Sequence, residues 1–104
     1  MDTDIKTTNI ELTPSIAAYI EDKIGGLEKY LKRVGSPHVV HVEAGKNTKH
    51  HRHGPVMFCH AHLSIPGATL HAKAEANDLY AAIDLAREEL ERQIVRYKEK
   101  KKRI

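Results

Sequence analysis

The spacing of apolar residues changes within the last third of the chain. Apolar and polar side chains alternate from residue 69 to residue 76, which is the period of a strand with one buried face. Beyond Asn77 and Asp78 the apolar residues recur at steps of three and four. These residues are Leu79, Ile83, Ala86, Leu90, Ile94 and Tyr97. The pattern predicts a half-buried strand that leads directly into a long amphipathic helix.

The first third of the chain predicts a short strand followed by another amphipathic helix. The strand covers residues 3–8, and Thr13-Pro14 marks the helix start, because the hydroxyl can cap free amides and proline loses no hydrogen bond there. The apolar stripe of this helix consists of Ile16, Ile20, Ile24, Leu27 and Leu31. The segment Gly35-Ser-Pro37 ends it. A kink is expected at Gly25-Gly26, since each glycine costs about 1 kcal/mol relative to alanine.

Two more strands are predicted in the middle of the chain. One alternates through Val40, Val42 and Ala44, and the longest covers residues 56–65, after which Pro66-Gly67 turns the chain back. The order β-α-β-β-β-α predicts a single α+β domain over residues 1–104, with two helices on one face of a four-stranded mixed sheet. The other face is expected to be open to solvent. It would carry His41, His60, His62, His71, Lys73 and Glu75.

The composition is typical of a soluble cytoplasmic protein. The single cysteine, Cys59, excludes an internal disulfide and the common four-cysteine zinc sites. The N-terminus is polar and lacks the features of a secretory signal, and no apolar stretch approaches membrane-spanning length. Cys59 is predicted to face the core and therefore to be unreactive.

The distribution of charge is more informative than its total. Seventeen Lys and Arg against fourteen Asp and Glu give a net charge of only +3. The last helix is acidic in its first half, whereas its end carries Arg92, Arg96, Lys98, Lys100, Lys101, Lys102 and Arg103. The helix dipole explains part of this order, but the excess of cations indicates a polyanion partner. Lys29 and Arg33 form a similar pair in the first helix. Solvated helix ends remain the competing interpretation at this point.

Histidine is unusually frequent, with eight residues in the chain. His50, His51 and His53 could ligate a transition metal, but their loop offers no carboxylate or cysteine ligand, which favours a merely polar loop. The motifs of phosphate-binding loops, serine hydrolases and zinc proteases are not found in the sequence. The sequence therefore predicts no catalytic residue, no cofactor and no metal site.

Four segments carry a resemblance to a known family. They are Ile10-Glu-Leu-Thr-Pro14, Leu27-Glu-Lys-Tyr30, Asn77-Asp-Leu-Tyr-Ala-Ala-Ile-Asp84 and Leu90-Glu-Arg-Gln-Ile94. Over essentially its whole length the chain resembles the ribosome hibernation-promoting factor and ribosome-associated inhibitor family, also known as sigma-54 modulation proteins. The resemblance implies a fold related to double-stranded-RNA-binding domains. It also implies a non-enzymatic stress and stationary-phase factor that inhibits translation by binding the small ribosomal subunit, with its 16S rRNA, where mRNA and the A- and P-site tRNAs would lie.

The residues that face rRNA in that family correspond to a set of cations in this chain. By position they are Lys23, Lys29, Arg92, Arg96, Lys98, Lys100 and Lys102, and the charge pattern adds Arg33. Asp78 and Tyr80 match the family motif but are interpreted as structural, a helix-start anion and a packing group. Neither an acidic tail nor a second domain follows Arg103, so the chain resembles the short form or the N-terminal domain of a long form. The competing hypothesis is a protein-interaction module, linked to transcription-factor modulation, that uses the basic helix pair or a sheet edge.

Overall fold

The computed structural model describes residues 1–35, 38–47 and 56–102. The strands are β1 (Asp2–Thr8), β2 (Val39–Lys46), β3 (Met57–Ile65) and β4 (Ala68–Ala76). The helices are α1 (Pro14–Lys23), a 3₁₀ helix (Gly25–Leu31) and α2 (Leu79–Lys102). The predicted order β-α-β-β-β-α is confirmed. The histidine-rich loop with His50, His51 and His53, the helix end at Ser36-Pro37 and the last basic residue, Arg103, lie outside the described residues.

The four strands form one mixed sheet in the order β1-β2-β3-β4. β1 and β2 are parallel, and the other two pairings are antiparallel, as the sequence order predicts. Gly45 permits β2 to approach β1, because a Cβ atom at this position would lie 2.1 Å from the carbonyl oxygen of Thr8. Gly67 has φ +80° and supplies the tight turn between β3 and β4. The parallel pair and the two hairpins therefore leave one whole face of the sheet for the helices.

The core lies between that face and the helices. The buried strand residues are Val40, Val42, Ala44, Cys59, Ala61, Leu63, Ile65 and Ala72. The buried helical residues are Ile20, Ile24, Leu27, Leu31, Leu79, Ala82, Ile83, Ala86, Leu90 and Ile94. Both predicted stripes are thus confirmed, with Ile16 and Tyr97 half-buried at their ends. Burial raises the pKa of the Cys59 thiol to about 12, which agrees with the prediction of an unreactive core residue.

The first helical segment differs from the single kinked helix expected. α1 starts as predicted, with the Thr13 hydroxyl accepting a hydrogen bond from the amide of Ile16 at 3.2 Å. It ends at Lys23, and the chain then winds more tightly as a 3₁₀ helix from Gly25. The change occurs at the glycine pair, where the α-helix is least favoured. The stripe still continues across it, so the apolar spacing was a better guide to burial than to helix type.

α2 starts at the predicted Asn-Asp pair. A side-chain oxygen of Asp78 accepts a hydrogen bond from the amide of Ala81 at 3.2 Å, so Asp78 has the structural role expected of it. Tyr80 lies edge-on to Tyr19, with ring centroids 4.7 Å apart, which agrees with its interpretation as a packing group. Within the described part of the chain, no helix is both long and apolar enough to cross a membrane.

Candidate nucleic-acid interface

Side-chain hydrogen bonds hold α2 beside α1 and the 3₁₀ helix. The hydroxyl of Tyr19 donates to Asp84 at 2.6 Å, and that of Tyr30 donates to Glu91 at 3.2 Å. Arg87 donates through Nε to the carbonyl oxygen of Lys23 at 3.2 Å and through a terminal nitrogen to Glu91 at 2.6 Å. The hydrogen bond to Asp84 is the main reason that the pKa of Tyr19 is raised to about 12. Part of the acidic half of α2 therefore serves to position the two helices.

The turn that follows the 3₁₀ helix and the end of α2 meet at a groove of about 380 Å³, which we call the basic groove. Three cations, Arg33, Lys98 and Lys101, line it together with Val34, Gly35, Pro66 and Tyr97. Tyr97 is fixed there, because its hydroxyl donates to the carbonyl oxygen of Pro66 at 2.5 Å. Lys101 lies over the same ring, with Nζ 5.6 Å from its centroid. No carboxylate belongs to this lining, so its charged residues are all positive.

Lys23 and Lys29 meet at a different place, between α1, the 3₁₀ helix and α2. With Arg87 they line a groove of about 420 Å³ that also contains Asp22, Asp84 and Glu88. Each lysine lies near a tyrosine: Lys23 Nζ is 5.5 Å from the ring centroid of Tyr19, and Lys29 Nζ is 5.4 Å from that of Tyr30. Because Asp84 and Arg87 are engaged between the helices, the lysines are the cations at this groove that remain available to a ligand.

Arg92 and Arg96 lie on the exposed side of α2. A terminal nitrogen of Arg92 lies 2.6 Å from a carboxylate oxygen of Glu89, and this pairing raises the pKa of Arg92. The two arginines share a groove of about 390 Å³ with Val95 and three carboxylates, Glu88, Glu91 and Glu99. The predicted cations thus lie at three separate grooves, two of which also contain acidic side chains. Of the remaining predicted residues, Lys100 is exposed, and Lys102 is the last helical residue, with its side chain outside the described part.

Three residues with evident roles were not predicted from the sequence: Lys101 and Arg87, which line these grooves, and Gln93, which contacts β4. Lys101 belongs to the basic tail but was not among the predicted contacts, although it lines the basic groove. Arg87 bridges the helices, and its spacing of four residues from Glu91 was the signal available for it. Gln93 hydrogen-bonds the edge strand β4: it accepts from the amide of His71 at 3.1 Å and donates to the carbonyl oxygen of His71 at 2.6 Å.

The described residues do not support a metal centre in the helix layer or on the sheet. Within residues 1–35, 38–47 and 56–102, no group of three or more His, Cys, Asp or Glu side chains is arranged to hold a metal ion. The three loop histidines that suggested a metal lie outside these ranges.

Comparison with known proteins gives concordant matches. The sequence profile of the family described as "Sigma 54 modulation protein / S30EA ribosomal protein" matches residues 3–102. The "Ribosome hibernation promoting factor" of Azotobacter vinelandii is 33% identical over 100 residues, covering 96% of this chain and 85% of that protein. The "Ribosome hibernation promotion factor" of Lactococcus lactis subsp. cremoris is 36% identical over 95 residues, covering 91% of this chain and 48% of that protein.

A solved structure agrees with the sequence relatives. The N-terminal domain of Protein Y from Thermus thermophilus superposes with a TM-score of 0.75 at 28% identity, covering 93% of this chain and 99% of that domain. The superposition therefore includes nearly all of that domain and most of this chain.

Proposed function

The chain belongs to the family of sigma 54 modulation proteins and S30EA ribosomal proteins, and on that premise we propose that it is a ribosome hibernation factor. It binds the small ribosomal subunit through 16S rRNA, in the channel that otherwise holds mRNA and the A- and P-site tRNAs. Its presence there blocks translation without chemistry. The names of the relatives support hibernation, and the lack of any recognised catalytic motif in the sequence is consistent with a binding role.

The observation that carries the proposal is the basic groove. Arg33 comes from the turn that follows the 3₁₀ helix, whereas Lys98 and Lys101 come from the last turns of α2, and the fold brings them around one opening. Lysine and arginine neutralise phosphates and release bound counterions, which gives affinity with little sequence information. Lys23, Lys29, Arg92 and Arg96 extend the proposed rRNA contacts along the helices, and Lys100 and Lys102 continue them at the end of α2. Position would then be set by the shape of the ribosomal cleft.

The geometry ranks the proposed contacts. The charge of Arg92 is partly offset by Glu89 at 2.6 Å, and pairing of exposed groups is weak enough for a phosphate to replace the carboxylate. The cations of the basic groove have no such competitor in its lining. We therefore expect charge reversal at Arg33 and Lys98 to reduce binding more than the same reversal at Arg92 and Arg96.

Co-sedimentation with purified small subunits at pH 8 tests the proposal. Arg33→Glu combined with Lys98→Glu should lower affinity by at least about tenfold, and the dependence of affinity on salt should become shallower. Arg33→Glu alone should also bind more weakly than the parent, whereas Lys46→Glu, an exposed single reversal on β2, should bind as the parent does. A protein that stays in the supernatant at low salt would contradict the proposal and favour the protein-interaction module. Unchanged binding of the double variant would contradict the assigned surface alone.

A further inference from the structure

The face of the sheet opposite the helices carries a row of residues that spans all four strands. In this row Asp4 of β1 is the register partner of His41, His41 that of His62, and His62 that of His71. The ring centroids of His41 and His62 are 5.9 Å apart, and those of His62 and His71 are 4.4 Å apart. Three imidazoles therefore form a continuous strip across β2, β3 and β4.

A second row lies beside the first and contains basic, acidic and imidazole side chains. Here Lys6, Glu43, His60 and Lys73 are register partners on successive strands. Together the two rows line an open groove of about 340 Å³, which we call the histidine groove. Its charged and titratable lining residues are Asp4, Lys6, His41, Glu43, His60, His62, His71 and Lys73.

The charge of the histidine groove depends on its histidines. Its two lysines balance its two carboxylates, so the groove is neutral when the four imidazoles are neutral and becomes positive as they gain protons. Both carboxylates of the groove already have a partner on β1 or β2. Asp4 lies 2.9 Å from Nδ1 of His41, and Glu43 accepts a hydrogen bond from the Thr8 hydroxyl at 2.5 Å. Asp2 and Glu75 are further exposed carboxylates on this face, beyond the groove lining. The ring neighbours of His62 are the imidazoles of His41 and His71.

We propose that the histidine groove is a second RNA-binding surface, recruited when acidification charges its imidazoles. Adjacent imidazolium groups repel one another, and a phosphate placed between them relieves that repulsion, so binding and proton uptake favour each other. Imidazolium also donates from both ring nitrogens, which suits phosphate oxygens. The inference takes the identity of the partner from the proposed function, but it concerns the face opposite the basic groove. Affinity for the small subunit should therefore rise as pH falls, in addition to the pH-independent binding by the helices.

Binding of purified small subunits at pH 6 and pH 8, in the same buffer ions and salt, tests this. The parent should bind roughly tenfold more tightly at pH 6, with a salt dependence steeper by about one or two phosphate contacts. His62→Gln combined with His71→Gln should remove most of this gain and leave affinity at pH 8 unchanged. His62→Lys combined with His71→Lys should instead bind tightly at both pH values, which also covers the case in which the glutamine variant folds poorly.

Two controls separate this proposal from others. His50→Gln, His51→Gln and His53→Gln together alter the loop and should retain the full acid-dependent gain; loss of the gain in this variant would assign it to the loop and overturn the proposal. Metal binding by imidazole requires the neutral ring, so affinity that rises with pH and is lost when a transition-metal chelator is added in excess Mg²⁺ would also overturn it. Arg33→Glu with Lys98→Glu should lower affinity at both pH values, so failure of the helix surface and failure of the histidine groove give different results. Equal affinity of parent and glutamine variant at pH 6 would end the inference.

Discussion

The two faces of this molecule carry different kinds of charge. On the helix side the cations are lysines and arginines, which stay charged across the physiological range, and two neighbouring carboxylates, Asp84 and Glu91, accept hydrogen bonds that join the helices. On the open face of the sheet the charge depends on four histidines, because its lysines and carboxylates balance within the groove. The same β-α-β-β-β-α fold thus presents one face whose cations stay charged and another whose groove changes from neutral to positive as its histidines gain protons.

The largest expected effect on stability comes from disrupting the core between the sheet and α2, because both faces depend on it. Leu90 is fully buried, and Leu90→Ala should lower the free energy of unfolding by about 2–5 kcal/mol, with loss of both binding surfaces as the protein unfolds. Leu85→Ala is the matched control on the same helix. Leu85 is 45% exposed, and its truncation should change stability by less than about 0.5 kcal/mol. Urea unfolding followed by circular dichroism measures both, and equal losses would contradict the observed packing of α2.

A smaller effect on stability is expected from Arg87→Met than from Leu90→Ala. Comparison with Arg92→Met separates the residue that positions the helices from one that presents charge. The Arg87 side chain is only 26% exposed, and Arg87→Met removes its hydrogen bonds to Lys23 and Glu91, which should cost about 1–2 kcal/mol of stability. Arg92→Met breaks an ion pair whose arginine is 61% exposed, so its effect on stability should be below about 0.5 kcal/mol. Thermal unfolding should distinguish the variants, and ribosome co-sedimentation should be weakened by Arg92→Met. Equal melting temperatures would contradict the bridging role of Arg87.

Features that depend on neighbouring residues could be predicted from the sequence, whereas features that depend on contacts between distant residues could not. The strands and the stripes on both helices depend on local spacing, so Val42 or Ile83 could be placed in the core before the fold was known. The 3₁₀ helix was not predicted, because apolar spacing does not determine how tightly the backbone winds after Gly25. Arg87 and Gln93 bond backbone groups of Lys23 and His71, which are far away in sequence, and no local pattern identifies such partners. The grouping of cations into separate grooves likewise depends on how the helices pack.

The third-largest effect on stability is expected where α2 contacts β4, the edge strand of the sheet. Gln93→Ala removes both hydrogen bonds to the backbone of His71 and the contact of 2.8 Å with Glu89, and should cost about 1 kcal/mol. Amide hydrogen exchange should show faster exchange at His71, since its N–H loses its acceptor. Glu88→Ala, an exposed change on the same helix, should leave that exchange rate unaltered. Unchanged protection of His71 in Gln93→Ala would contradict the assigned contact.

The smallest effect on stability near neutral pH is expected from ionisation of the Cys59 thiol, which lies in the core between the sheet and the helices. Burial raises the pKa of Cys59 from 9.0 to about 12, so the folded protein holds this proton more tightly than the unfolded chain does. The corresponding stability is fully present below about pH 9 and is lost as pH rises toward 12. At pH 8 the thiol should react with an aromatic disulfide reagent at least about 100-fold more slowly than in urea, because reaction requires the core to open.

The same thiol then reports how firmly the helix layer is held on the sheet. Arg87→Met weakens the junction between the helices and should accelerate labelling of Cys59, whereas Arg92→Met, which acts only at the exposed side of α2, should not. Rapid labelling of the parent at pH 8 would show that the interior between the two faces is accessible. In that case the helix layer with its lysines and arginines and the sheet face with its histidine groove could not be treated as rigidly joined.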